Sequence, residues 1–152
     1  MSKIIKIVSL TALSPIIIFG LYIISHGHLT PGGGFQGGVI IASAFVLILV
    51  AFKNDIKLSH KLFVFFESLG LVFFIILAFL GIFKNTFLYN FLANSSGILG
   101  RTIQFGANTG CLNSGGVIPL MNLAIGIEVA AALSLVALFI IRHKDQNKTK
   151  YD

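Results

Sequence analysis

Charge is what this sequence has least of. Only 11% of its 152 residues are Asp, Glu, Lys or Arg, and just five are acidic. An ordinary globular chain carries about 25% charged residues. Hydrophobic residues reach 56% and the mean hydropathy is +0.96. So few charges cannot cover a water-facing surface of this size, which excludes a soluble domain and predicts an integral membrane protein. Cysteine is nearly absent too. The lone Cys111 cannot close an internal disulfide, and it reads as an unreactive thiol in a loop or headgroup zone.

The formal net charge of +6 is not a nucleic-acid footprint. The basic residues sit at the ends of apolar runs rather than on one face with interleaved aromatics. Phosphate-loop chemistry is excluded as well. Gly32-x-Gly34-x-x-Gly37 matches a dinucleotide fingerprint in spelling only, because it follows an apolar run rather than a strand, and no P-loop lysine is present. His26-x-His28 could offer two metal ligands. No Cys, Asp or Glu lies in the same segment to complete a set of four, so no metal is assigned and no cofactor is expected. The two histidines read instead as an interfacial pair that caps a helix, or as a pair that titrates near neutrality.

What is present is four long apolar segments. Spanning a hydrocarbon core of about 30 Å takes roughly 20 apolar residues in a helix. Segments at about 5–24, 35–52, 62–83 and 117–141 qualify. They do not alternate, and an open sheet cannot sit in lipid. The expected fold is therefore all-α, one four-helix membrane domain over residues 1–152, with a long loop at 84–116. The first segment follows a basic start, as a secretory signal would. It is long, contains Ser14-Pro15 and lacks a small-residue cleavage site, so it reads as a retained helix with a proline kink. With four spans both termini share a side. That side, with the 53–61 loop, carries nine of the eleven Lys and Arg residues, leaving Lys84 and Arg101 opposite. The positive-inside rule then predicts cytoplasmic termini.

The chain turns on the break between the first two segments, His26-Gly-His28-Leu-Thr-Pro31-Gly32-Gly33-Gly34-Phe-Gln36-Gly37-Gly38. Proline costs about 3 kcal/mol inside a helix and each glycine about 1 relative to alanine, so one helix ends here and another begins. Gly34, Gly38 and Ala42 then recur at four-residue intervals, a seam of small residues where another backbone can approach closely. Gly37-Gly38-Val39-Ile40 reappears as Gly115-Gly116-Val117-Ile118. A duplicated two-helix unit and a shared need for tight helix entry explain that equally well. The 84–116 loop contains an aromatic patch, Phe87 to Leu92, suited to an interface or a docking surface. Asn94-Ser95-Ser96 and Asn147-Lys148-Thr149 match glycosylation acceptors, as short patterns do by chance.

Two carboxylates fall inside apolar segments. Glu67 sits about two turns into the third, where it either snorkels to the interface or has a functional role. Glu128 lies mid-segment in the fourth, where a charge costs about 2.5–3.5 kcal/mol. Its helical neighbours include Ala124, Ala131 and Ala132, a face that packs closely on something. Glu128 is therefore either protonated and hydrogen-bonded, or served by a partner or a water-filled path. Asn122 adds polarity to the outer half of that helix. Glu128, Glu67 and Asn122 are the candidate ion-pathway residues.

The long break resembles the signature of the MnhB/MrpB-type small subunits of the Mrp-type multisubunit sodium/proton antiporters. The stretch Asn113-Ser-Gly-Gly-Val-Ile-Pro119-Leu-Met-Asn122-Leu-Ala-Ile-Gly126-Ile-Glu128 resembles the same family's last-helix motif. The similarity covers essentially the whole chain. It implies a small, non-catalytic, multi-pass subunit of a prokaryotic plasma membrane. Its partners would be other membrane subunits and lipid, and sodium ions and protons would be the transported species. Related modules occur in membrane-bound hydrogenases and sulfane-sulfur reductases. The wording of Leu29-Thr30-Pro31 and Phe35-Gln36-Gly37 is closer to that group. The resemblance assigns ion ligation to no residue. A purely structural scaffold or lipid seal is the competing expectation.

Overall fold

In the computed structural model the chain is described over residues 2–52, 59–84, 86–93, 95, 98–102 and 110–148, with side chains described to residue 143. Most of the 53–61 loop, Gly97, Gly106, the acceptor Asn94 and the side chain of the acceptor Asn147 lie outside that description. The described residues form four helices long and apolar enough to cross a membrane, and no strand. They are α1 (Lys3–Ser25), α2 (Gly34–Phe52), α3 (His60–Leu80) and α4 (Ile118–Lys148).

Each helix starts and stops for a local reason. Ser2 caps α1, its hydroxyl accepting from the Ile4 amide at 3.3 Å. The helix runs on through Pro15 as a single element. It ends at His26, whose amide donates back to the carbonyls of Ile24 and Tyr22. Gly32 and Gly33 then take φ values of +140° and +115°. Side chains with a Cβ rarely adopt that backbone, so the triple glycine here is a conformational requirement. The 19 residues of α2 rise about 28 Å, close to the hydrocarbon thickness. The 31 residues of α4 exceed it, and its apolar portion is Ile118–His143.

Sequence neighbours are not all neighbours in space. α2 packs on α1 and on α4, α4 packs on α3, and α1 meets α4 only lightly. The lateral order is α1, α2, α4, α3. An edge-to-face pair, Phe45 of α2 on Phe63 of α3, reaches across at 5.8 Å. The buried core is built largely of small residues: Ala42, Ala44, Ala51, Ala78, Ala124, Ala130 and Ala131 are all 8% exposed or less. Lipid offers no hydrophobic reason for helices to associate. They hold together by close van der Waals packing, which small residues permit. The large side chains point outward instead, among them Ile4, Ile18, Phe35, Phe83 and Phe139. In water such a surface would aggregate, whereas in a bilayer it is the solvated face.

The α3–α4 connection is tied down at both ends. A 3-10 turn, Gly81–Lys84, extends α3, and another, Leu112–Ser114, precedes α4. Asn90 reaches 25 residues along the chain to donate to the Gly115 carbonyl at 3.0 Å. Its Oδ1 accepts from the Val117 amide at 2.8 Å. A side chain from the loop thus satisfies an amide at the entry to α4, the job an N-cap residue normally does.

Candidate functional site

The break between α1 and α2 is a packed corner. The His26 ring lies on Tyr22 with centroids 4.0 Å apart, and its Nδ1 faces the Tyr22 carbonyl at 2.9 Å. The Nδ1–H tautomer donates there, which occupies His26 at the end of α1. His28 turns the other way. Its ring lies against Gly115, where an added Cβ would stand 2.8 Å from the imidazole Cδ2. Both His28 ring nitrogens are buried without a hydrogen-bond partner among the described residues. The Asn122 amide nitrogen is in the same condition. Asn122 comes up beneath the break, beside Gly27 and Gly33. Pro31 and Gln36 are exposed, while Gly33 and Gly34 are buried.

The glycines of α2 serve two different helices. Gly34 lies on the backbone of Asn122 and the side chain of Ile125 in α4. Gly38 lies on the Gly126 carbonyl and on Val129, with room for no Cβ: one would sit 2.9 Å from each. Ala42 continues this line at 2% exposure. Gly37, on another face, meets Ile24 and the Gly20 carbonyl of α1. The repeat spacing marks the Gly34–Gly38–Ala42 line in the sequence, but nothing there pairs Gly37 with Gly20. Both are lone glycines in their respective faces until the helices are placed together.

Glu128 faces α3. A Cβ at Gly70 would lie 2.8 Å from the Ala124 carbonyl oxygen, 2.8 Å from the Glu128 amide and 2.9 Å from the Glu128 Cβ. That contact fixes the register of the antiparallel pair. Ala124 is fully buried, Ala131 is 5% exposed and Ala132 is half-buried. Glu67 precedes Gly70 by three residues, on the same side of α3 and about one turn nearer its start. The two carboxylate-bearing positions therefore lie on the apposed α3 and α4 surfaces, about one turn apart in height. Both residues are half-buried. Among the described residues no hydrogen bond or ion pair reaches either carboxylate. The chain alone does not enclose Glu128, so whatever compensates it stands outside this chain.

Asn122 is not part of that arrangement. Six residues separate it from Glu128, about 9 Å of rise and about 120° of rotation. It faces the glycine break, whereas Glu128 faces α3. The aromatic patch of the loop is surface: Phe87, Leu88 and Tyr89 are exposed, and Phe87 rests edge-on against Phe79 of α3 at 5.7 Å. Cys111 is half-buried with its sulfur 3.7 Å from the Arg101 guanidinium. The described residues hold no group of three or more His, Cys, Asp or Glu side chains that could bind a metal.

These features, a glycine-locked corner above a four-helix bundle with unpaired carboxylates, sit within a chain whose residues 4–135 match a family model described as a domain related to the MnhB subunit of Na+/H+ antiporter. The chain belongs to the MnhB-related family. An uncharacterized protein of Methanocaldococcus jannaschii, MJ1307, is 37% identical over 126 residues, 82% of this chain and 46% of the relative. A putative antiporter subunit mnhB2 of Staphylococcus aureus is 48% identical over a 40-residue stretch, 26% of this chain and 28% of the relative. Among solved structures, a chain of the membrane-bound sulfane sulfur reductase, an archaeal respiratory membrane complex, superposes with a TM-score of 0.74 at 35% identity. That match covers 89% of this chain and 56% of the other. The chain thus spans about half the length of these longer relatives. It is an MnhB-like, multi-pass membrane subunit of an antiporter-type module, a kind of subunit also found in a respiratory membrane complex.

Proposed function

We propose that this chain is a non-catalytic membrane subunit of a multisubunit module that exchanges sodium ions for protons. Glu128 is its proton- or sodium-responsive carboxylate and Glu67 the second. The observation that carries this reading is the pair of partnerless carboxylates on the apposed α3 and α4 surfaces. A carboxylate in the hydrocarbon core is costly, and one that the chain leaves without a hydrogen bond is compensated by a proton, a cation or a basic group on a neighbouring subunit. Family membership supplies the ion chemistry that selects among these. The basic residues clustered at the ends of α1, α3 and α4 support cytoplasmic termini. Asn122 and His28 belong to the opposite, outer end, where they shape the break.

The likeness to a chain of the sulfane sulfur reductase favours a second setting, the same module inside a respiratory complex that drives it by electron transfer. A third reading, a scaffold or lipid seal, draws on the dense glycine seams. Purifying the complex through a tag on this chain separates the first two. Co-purifying antiporter subunits alone support the stand-alone exchanger, and co-purifying redox subunits support the respiratory complex. Membrane vesicles from cells lacking this chain should lose the sodium-driven pH gradient and regain it on complementation. A gradient that persists in its absence would contradict any role in transport.

A further inference from the structure

The lateral order α1, α2, α4, α3 leaves a trough on one face of the bundle. Its floor is α2 and α4, with Phe45, Gly126 and Ala130, and its walls are Leu21 of α1 and Phe66 of α3. The hollow holds about 340 Å³ and is open along one side. Ser59, at the start of α3, is the one polar residue in the lining. Leu21, Ile24 and Leu123 border both this hollow and a second of about 580 Å³ under the outer loop. The cleft therefore runs along the bundle from the start of α3 toward the α1–α2 break.

The geometry points to a phospholipid as the occupant, with one acyl chain in the trough and its phosphate beside the first turn of α3. Size decides against a neighbouring transmembrane helix. A helix of 10–12 Å diameter crossing a 30 Å core fills roughly 2,400–3,400 Å³, several times both hollows combined. A methylene group is about as large as a water molecule, roughly 30 Å³, so the inner hollow takes ~11 of them and the outer one takes the rest of a long chain. Charge agrees with size. His60 and Lys61 are exposed at the Ser59 end, the first turn of α3 holds no acidic residue, and the Ser59 hydroxyl does not cap the helix. An apolar trough with a cationic end is complementary to an anionic amphiphile. This site does not depend on whether Glu128 carries ions, so its test and the transport test fail separately.

The complex, purified through a tag on this chain and exchanged into nanodiscs of equal parts phosphatidylglycerol and phosphatidylcholine, should retain one tightly held phospholipid per copy in native mass spectrometry. The retained lipid should be enriched about fivefold in the anionic species, and Lys61→Gln should abolish most of that enrichment, since one basic residue at a membrane surface is worth about that factor. Ala130→Phe, which fills the trough, should abolish retention. Because that variant also stresses packing, a photoactivatable benzoylphenylalanine at position 127, on the trough wall, gives an independent readout in the otherwise native complex. A phospholipid adduct supports the site. A polypeptide adduct, or wild-type complex that retains no lipid, overturns it.

Discussion

Replacing Gly70 with leucine should separate α3 from α4. Even the first added carbon lies 2.8 Å from two α4 backbone atoms, the Ala124 carbonyl oxygen and the Glu128 amide nitrogen. Ordinary van der Waals contact begins at 3.4 Å, about 0.6 Å farther out. Backbone atoms of a packed helix cannot rotate aside, so α3 has to retreat as a body. A gap of 0.5–1 Å forfeits about a quarter to a half of each dispersion contact, and the loss extends along the seam to buried Leu77 and Ala78. Leucine then adds three more carbons. Overpacking costs about 1–3 kcal/mol and occasionally more, while the gain in helix propensity over glycine returns about 0.8–1 kcal/mol. A net loss of about 2 kcal/mol, some 30-fold in the folding equilibrium, is the expected result. Sodium dodecyl sulfate titration of the protein in mixed micelles, followed by circular dichroism, reads it out. Ser68→Leu, on an exposed face of the same helix, controls for side-chain size. If Gly70→Leu unfolds at the same detergent fraction as wild type and Ser68→Leu, α3 is not seated on α4 at this register.

Gly38→Leu places a side chain against the Gly126 carbonyl and Val129, each 2.9 Å from its Cβ; native gels should show little assembled complex, and normal assembly would deny the α2–α4 seam. Asn90→Ala removes one hydrogen bond donated to Gly115 and one accepted from Val117, which costs about 1–3 kcal/mol where the partners stay buried. Amide exchange at Val117 should accelerate by about tenfold or more, and unchanged protection would show that the loop does not cap α4.

Much of the fold was legible because the hydrophobic runs are long and their interruption is chemically unambiguous. Pro31 and three glycines between two uncharged runs leave few options for the backbone. The Gly34–Gly38–Ala42 line was visible because its spacing repeats on one helix face. Gly70 was not, since a single glycine in an apolar run states neither that it is a contact point nor with which helix. The same holds for Asn90, whose partners lie 25 and 27 residues away. The lateral order was also illegible. Short connections bring consecutive helices near one another, yet α3 packs on α4 rather than on α2. The trough exists only because of that order, so no pattern within one segment could announce it. Glu128 stood out by its cost in lipid. That it faces Gly70, while Asn122 turns away toward the break, needed the register of two helices.

The most direct test is sodium-driven formation of a pH gradient in vesicles carrying Glu128→Gln. Glutamine keeps the size and hydrogen-bonding capacity of a protonated glutamate and removes only the ability to ionise. The account predicts a fully assembled complex with the gradient lost. A normal gradient with normal assembly would take the carboxylate out of the ion path and leave the chain a scaffold.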